Sequence, residues 1–171
     1  MLAVVLVLAA QGCTSSSDAS RSTTDAPSTA VSAGSLPRVD LINDAVAALE
    51  AELGGPQRYF EINATSRLVN LFVELNDGKL AQPWVFLDRQ LSSTPPLDAT
   101  GHSFAASALD FDPDKVLSRL QAELPQSTPD VFFVEGGEEG IVRYSVTVAS
   151  QEGGQLVVVV GPDGTVKSVE A

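Results

Sequence analysis

Apolar residues recur at helical spacing in two segments of this chain. Ile42, Val46, Leu49 and Leu53 fall on one face of residues 41–53, and Leu117, Leu120 and Leu124 on one face of residues 113–124. Asp40 precedes the first segment as a candidate N-cap, and Gly54-Gly55-Pro56 follows as a stop. Asp112 precedes the second, Pro113 suits the first helical position because its missing N–H costs nothing there, and Pro125 ends it. The remaining pattern alternates with the period of a strand. Strands are predicted at residues 59–63, 68–75 and 80–87, and again at 131–135, 141–149, 156–160 and 165–169. Asn76-Asp77-Gly78-Lys79 is a hairpin signal, and Pro162-Asp163-Gly164 a turn signal.

The two sets line up. Val46, Leu49 and Leu53 map onto Leu117, Leu120 and Leu124 at one offset, and Leu71, Val73 and Leu75 onto Tyr144, Val146 and Val148 at an offset two residues longer. A unit of helix then strands, occurring twice, predicts an α+β fold: two repeats of one helix packed on an antiparallel sheet of three to four strands. The repeats would span residues 38–110 and 111–171. Residues 103–109 could supply a fourth strand to the first repeat, matching 165–169. Trp84-Val85-Phe86-Leu87 and Leu156-Val157-Val158-Val159-Val160 are apolar without alternation. Such strands are usually covered on both faces, and one layer of helices covers only one. Trp84, Phe86, Val157 and Val159 are therefore the candidate binding face, with the aromatic pair as natural anchors.

The amino terminus carries a different message. An apolar run over residues 2–10 leads to Gly12 and to Cys13, the only cysteine, and a Ser/Thr-rich segment follows at once. A run of about ten residues is a signal-peptide length, too short for a membrane span of roughly 20. Residues 1–12 are expected to be a signal peptide and Cys13 a lipidation site. The run carries no Lys or Arg before it, which suggests a true start upstream of Met1. The competing reading is an ordinary secretory signal followed by a chance cysteine. A lone thiol in a secreted chain has no internal disulfide partner, which favours lipidation. Two acyl chains on Cys13 would hold the membrane, each buried methylene adding roughly 0.8 kcal/mol. Residues 13–37 would be a disordered tether, since they lack the apolar surface to offset ordering entropy. Some 22 such residues reach about 25 Å on average.

Charge narrows the partners. The chain holds 10 basic and 22 acidic residues, a formal net charge of -12. Nucleic acid is a poor partner for that surface. An anionic membrane would repel it too, so the lipid must be the attachment.

No chemistry-bearing constellation stands out. His102 is the only histidine, so a histidine zinc site or a Ser-His-Asp triad would rest on it alone. Asp110, Asp112 and Asp114 alternate as in calcium loops, but the central Gly is missing and helix capping accounts for the acids. Glu135, Glu138 and Glu139 surround a Gly-Gly turn and suit a solvated hairpin tip. No phosphate-binding glycine loop occurs. No catalytic residue, metal or cofactor is expected.

The helix, the strands and the closing Val158-Val159-Val160-Gly161-Pro162-Asp163-Gly164-Thr165-Val166 together are similar to the PepSY-like domains of bacterial envelope proteins. The β-lactamase inhibitor proteins share that tandem helix-on-sheet architecture. The Gly-Cys-Thr-Ser-Ser-Ser start and the preference for Arg over Lys resemble an actinobacterial lipoprotein. The resemblance implies a non-enzymatic module on the outer side of the cell membrane that binds or inhibits an envelope protein. A carrier holding a small apolar ligand or lipid between helix and sheet is the alternative.

Overall fold

The structure, a computed structural model, describes residues 36–151 and 153–170. The expected signal peptide, Cys13 and nearly all of the expected tether lie outside those residues. Helix α1 (Ile42–Leu53) forms on the apolar stripe and buries Ile42, Ala45, Val46 and Leu49. It ends where Gly54 turns left-handed at φ 81 and its N–H donates to the carbonyl of Glu50. Its start differs from expectation. Asp40 lies in a 3-10 turn (Val39–Leu41), and its carboxylate accepts two hydrogen bonds from the Arg38 guanidinium (3.0 and 2.9 Å) instead of capping the helix.

Strands β1 (Arg58–Ala64), β2 (Val69–Leu75) and β3 (Leu80–Leu87) follow, then β4 (Gln90–Ser93), β5 (Leu97–Asp98) and β6 (Phe104–Ala105). Helix α2 (Val116–Glu123) is shorter than its sequence pattern. Asp112 accepts the backbone N–H groups of Asp114 (3.1 Å) and Lys115 (3.3 Å), which holds a turn ahead of the helix rather than a first helical turn. Strands β7 (Ser127–Gly136), β8 (Val142–Ser150), β9 (Gln155–Val160) and β10 (Val166–Glu170) complete the chain.

The strands form one ten-stranded sheet in the order β10-β9-β8-β7-β1-β2-β3-β4, antiparallel throughout, with β5 beside β3 and β6 beside β1. This corrects the expected fold class. The protein is not two repeats of one helix on a separate three- to four-stranded sheet. Among the described residues it is a single large antiparallel sheet with two short helices. The cause is the pairing of β1 with β7 through Glu61↔Glu135, Ile62↔Val134, Asn63↔Phe133 and Ala64↔Phe132. That pairing removes the two edges at which separate sheets would have ended.

The fourth strand on the β1 side is also corrected. Only Phe104–Ala105 of residues 103–109 is strand, pairing with β1, and Ala106–Ala108 is a 3-10 turn. The outer strand is instead β4, which follows β3 after the two-residue turn Asp88-Arg89.

Alternation sorts each strand into two faces. On the helix side Ile62, Val69, Leu71, Phe132, Val146 and Val158 are wholly buried and pack with the two helices. Phe111, Phe132 and Tyr144 cluster there with ring centroids 5.6–6.1 Å apart. A register shift between Tyr59 and Glu61 in β1, and another between Pro129 and Val131 in β7, bends each central strand. The second shift also accommodates a proline, which has no N–H for the ladder.

Candidate functional site: the uncovered face of the sheet

The face away from the helices carries one row of residues in register across eight strands. Ser92, Val85, Asn70, Asn63, Phe133, Ser145, Val159 and Ser168 stand opposite one another in turn from β4 to β10. Beside it runs a second row of Pro83, Phe72, Glu61, Glu135 and Arg143. Neither helix lies over these rows.

Polar groups occupy the middle. Asn70 Nδ2 donates to Asn63 Oδ1 (2.7 Å), and Asn63 Nδ2 donates to Glu61 Oε1 (2.6 Å). Asn63 and Ser145 are each 8% exposed, although they lie on the uncovered face. Flanking side chains therefore shelter them, and the network is partly dry. Burial pushes the Glu61 carboxyl above the usual range, and the nearby charge of Glu135 adds to this. The hydrogen bond from Asn63 works the other way. Half-buried Phe72, Val85, Phe133 and Val159 border this centre. Fixed polar groups on a binding surface set the register of a partner and discriminate among partners.

The four predicted face residues are not brought together. Val157 and Val159 lie on the uncovered face, Val157 at 40% exposure and Val159 half-buried. Trp84 and Phe86 stand opposite Leu71 and Val69 on the helix side. Phe86 is buried, and Trp84 packs against the core with its indole N–H unpartnered among the described residues. Sequence reasoning missed Glu61, Asn63 and Asn70. Period-2 alternation places each on the polar side of its strand, but only the β1–β7 pairing puts that side at the centre of a wide sheet.

The other candidates are accounted for locally. His102 is exposed and bridges Gly136, where an added Cβ would lie 2.1 Å from the His102 carbonyl oxygen. Asp112 is engaged by the backbone and by Lys115. Glu138 and Glu139 sit in an exposed 3-10 turn. Among the described residues no group of three or more His, Cys, Asp or Glu is placed to hold a metal ion. No described helix is long and apolar enough to cross a membrane.

Among the described residues, hollows adjoin the sheet at its β8–β10 side. One, of about 440 Å³, lies beside Asp110, Arg143, Tyr144 and Lys167. Another, of about 260 Å³, runs from the end of α2 at Leu124 and Pro125 to Val148, Leu156 and Val169.

No protein-family model matches this chain, and no curated protein matches it. Among solved structures, a candidate lipoprotein from Clostridium difficile superposes with a TM-score of 0.49 at 8% identity, over 80% of this chain and 93% of that one. The superposition is too loose to establish a shared fold.

Proposed function

We propose that this chain is a bacterial envelope lipoprotein, held to the outer side of the cell membrane by lipid on Cys13, and that it binds a partner protein through the uncovered face of its sheet without catalysing a reaction. The observation that carries the binding role is the in-register row from Ser92 to Ser168, with its apolar border and its Asn70–Asn63–Glu61 network. A broad surface with fixed polar groups suits a protein partner better than a small molecule, which needs a concave pocket. The anchor rests on the apolar run at 2–10, Gly12-Cys13 and the polar segment that follows.

Two experiments test this reading. A photo-crosslinking residue placed at Val159 or Phe72 of the full chain, expressed in its host, is expected to give a discrete adduct, whereas the same probe at exposed Glu52 on α1 gives none. Equal adducts at all three positions, or none at any, would overturn the binding role. Labelled palmitate should enter the chain and be lost in Cys13→Ser; label retained in that variant would overturn the anchor.

A second reading, a carrier of a small apolar ligand, draws support from the hollow at Leu124, Val148, Leu156 and Val169. At about 260 Å³ it is smaller than the ~300–1,000 Å³ of most ligand sites, so this reading stands second. Native mass spectrometry of the full chain from its host envelope separates the two. A retained lipid-sized mass would put the carrier first.

A further inference from the structure

We propose that the hollow beside the β3–β4 turn is a binding site for a phosphate group, free or carried on a lipid headgroup. This site is separate from the uncovered sheet face and does not depend on the function proposed for it. The hollow measures about 370 Å³ and is lined by Arg38, Leu41, Arg67, Asp88 and Arg89. The chain has 22 acidic and 10 basic residues, yet three of its arginines meet here. Among the described residues, Arg67 and Arg89 make no ion pair. Arg38 spends two of its five N–H groups on Asp40. With both Asp88 and Asp40 counted, the group still carries net positive charge. Guanidinium groups match the geometry of phosphate oxygens and bind them through paired, charge-assisted hydrogen bonds.

The backbone supports the side chains. Thr65 Oγ1 accepts the N–H groups of Arg67 and Leu68, both at 3.2 Å, and the Arg38 N–H donates to the Thr65 carbonyl (2.9 Å). The segments bearing Arg38 and Arg67 are thereby tied together. Arg89 sits at φ 62 and Asp88 at φ 51, in a two-residue turn that favours Asn-Gly. Arginine is a poor choice for that backbone, so turn chemistry does not account for it.

The corresponding turn on the other half of the sheet makes the point by contrast. The β9–β10 turn lies against α2 and is closed from within. Arg119 pairs with Asp163 (2.7 Å), and a Cβ on Gly164 would lie 2.3 Å from the carbonyl oxygen of Val116. There the arginine of α2 is paired with the turn and the turn glycine is packed on the helix. The β3–β4 turn leaves a hollow with two unpaired arginines.

The test uses phenylglyoxal, which modifies accessible arginines, on the full chain, with labelling read at each site by mass spectrometry. Inorganic phosphate is one competitor. Vesicles of phosphatidylcholine, alone or with phosphatidylglycerol, are the other. Several-fold protection of Arg67 and Arg89, with Arg143 labelled as before, is the expected result. Protection by inorganic phosphate assigns a free phosphate; protection only by vesicles containing phosphatidylglycerol assigns a headgroup. Unchanged labelling under every condition, or protection extending equally to Arg143, would overturn the site. The double variant Arg67→Gln, Arg89→Gln should weaken binding of the protecting competitor by at least about tenfold, with an unchanged circular dichroism spectrum. Undiminished binding by that variant would also overturn it.

Discussion

The half of the sheet formed by β1 to β4 and the half formed by β7 to β10 share a plan but spend their residues differently. Each is preceded by a short helix that buries an i, i+1, i+4 set: Ala45, Val46 and Leu49 in α1, Val116, Leu117 and Leu120 in α2. Helix α1 has 12 residues and α2 has 8. The shorter helix leaves more sheet to cover, and the Phe111, Phe132 and Tyr144 rings fill that space. On the uncovered face the contrast reverses. The first half supplies the polar network of Glu61, Asn63 and Asn70, and the second supplies exposed Val157 and half-buried Val159. Burial on the helix side selects mainly apolar and aromatic side chains, so the two halves look alike there. The uncovered face is free of that constraint, and its differences are the better guide to function.

The largest effect expected bears on whether the halves are one cooperative unit. Leu49→Ala and Leu120→Ala each remove a wholly buried side chain, and each should cost about 2–5 kcal/mol. Because β1 and β7 join the halves at the centre, both variants should lower a single unfolding transition, followed by calorimetry. Two separate transitions, with each variant moving only one, would break the description of a single sheet.

Next in size is a pair of glycines with the same backbone and different surroundings. Gly54 (φ 81) and Gly164 (φ 85) are both left-handed, so alanine at either costs about 1–2 kcal/mol in backbone strain. An added Cβ meets nothing within 4 Å at Gly54 but lies 2.3 Å from the Val116 carbonyl oxygen at Gly164. Denaturant unfolding should therefore rank Gly164→Ala as clearly the more damaging. Equal losses would mean that the β9–β10 turn is not packed on α2 as described.

How far these features were legible in the sequence depends on how local their causes are. The stripe of α1 from Ile42 to Leu49, the αL stop at Gly54 and the Asn76-Asp77-Gly78 hairpin depend on neighbouring residues, and the pattern placed them, although Leu53 at the end of the stripe is exposed. Strand alternation showed which side chains share a face but not which strand lies alongside. The β1–β7 pairing, and with it the single sheet, left no local trace. Strand β4 went unseen because Gln90, Ser92 and Ser93 are polar and Asp88-Arg89 is not a turn-forming pair by composition. The arginine site was invisible because residues 38, 67 and 89 meet only in three dimensions.

The polar row gives a smaller comparison. Asn63 is the middle of a hydrogen-bonded chain in the first half, and Ser145 stands in the same row in the second. Asn63→Ala strands both the Asn70 amide and the Glu61 carboxylate, and should cost about 1–3 kcal/mol. Ser145→Ala should cost less, since no such chain runs through it. Thermal melts of the two variants check the order. A Ser145→Ala loss as large as that of Asn63→Ala would place the organising network in the wrong half.

The smallest effect expected is one of pH. Glu61 has its carboxyl raised above the ordinary 4.5, first by burial and then by the charge of Glu135, against the hydrogen bond from Asn63. The folded state therefore holds this proton more tightly than the unfolded state does. Stability from this group is present at low pH and is lost as pH rises from about 4.5 through the raised folded value. Glu61→Gln keeps an oxygen to accept from Asn63 and removes the charge. It should stabilise the protein at neutral pH by less than about 1 kcal/mol, given partial solvent screening, and the gain should fade below pH 4.5. Glu135→Gln should recover part of the same gain by removing the opposing charge while leaving the network intact. If Glu61→Gln instead destabilises the protein at neutral pH and is neutral in acid, the carboxylate is held by a favourable partner. The centre of the uncovered face would then be a closed structural network rather than a surface held ready for another molecule.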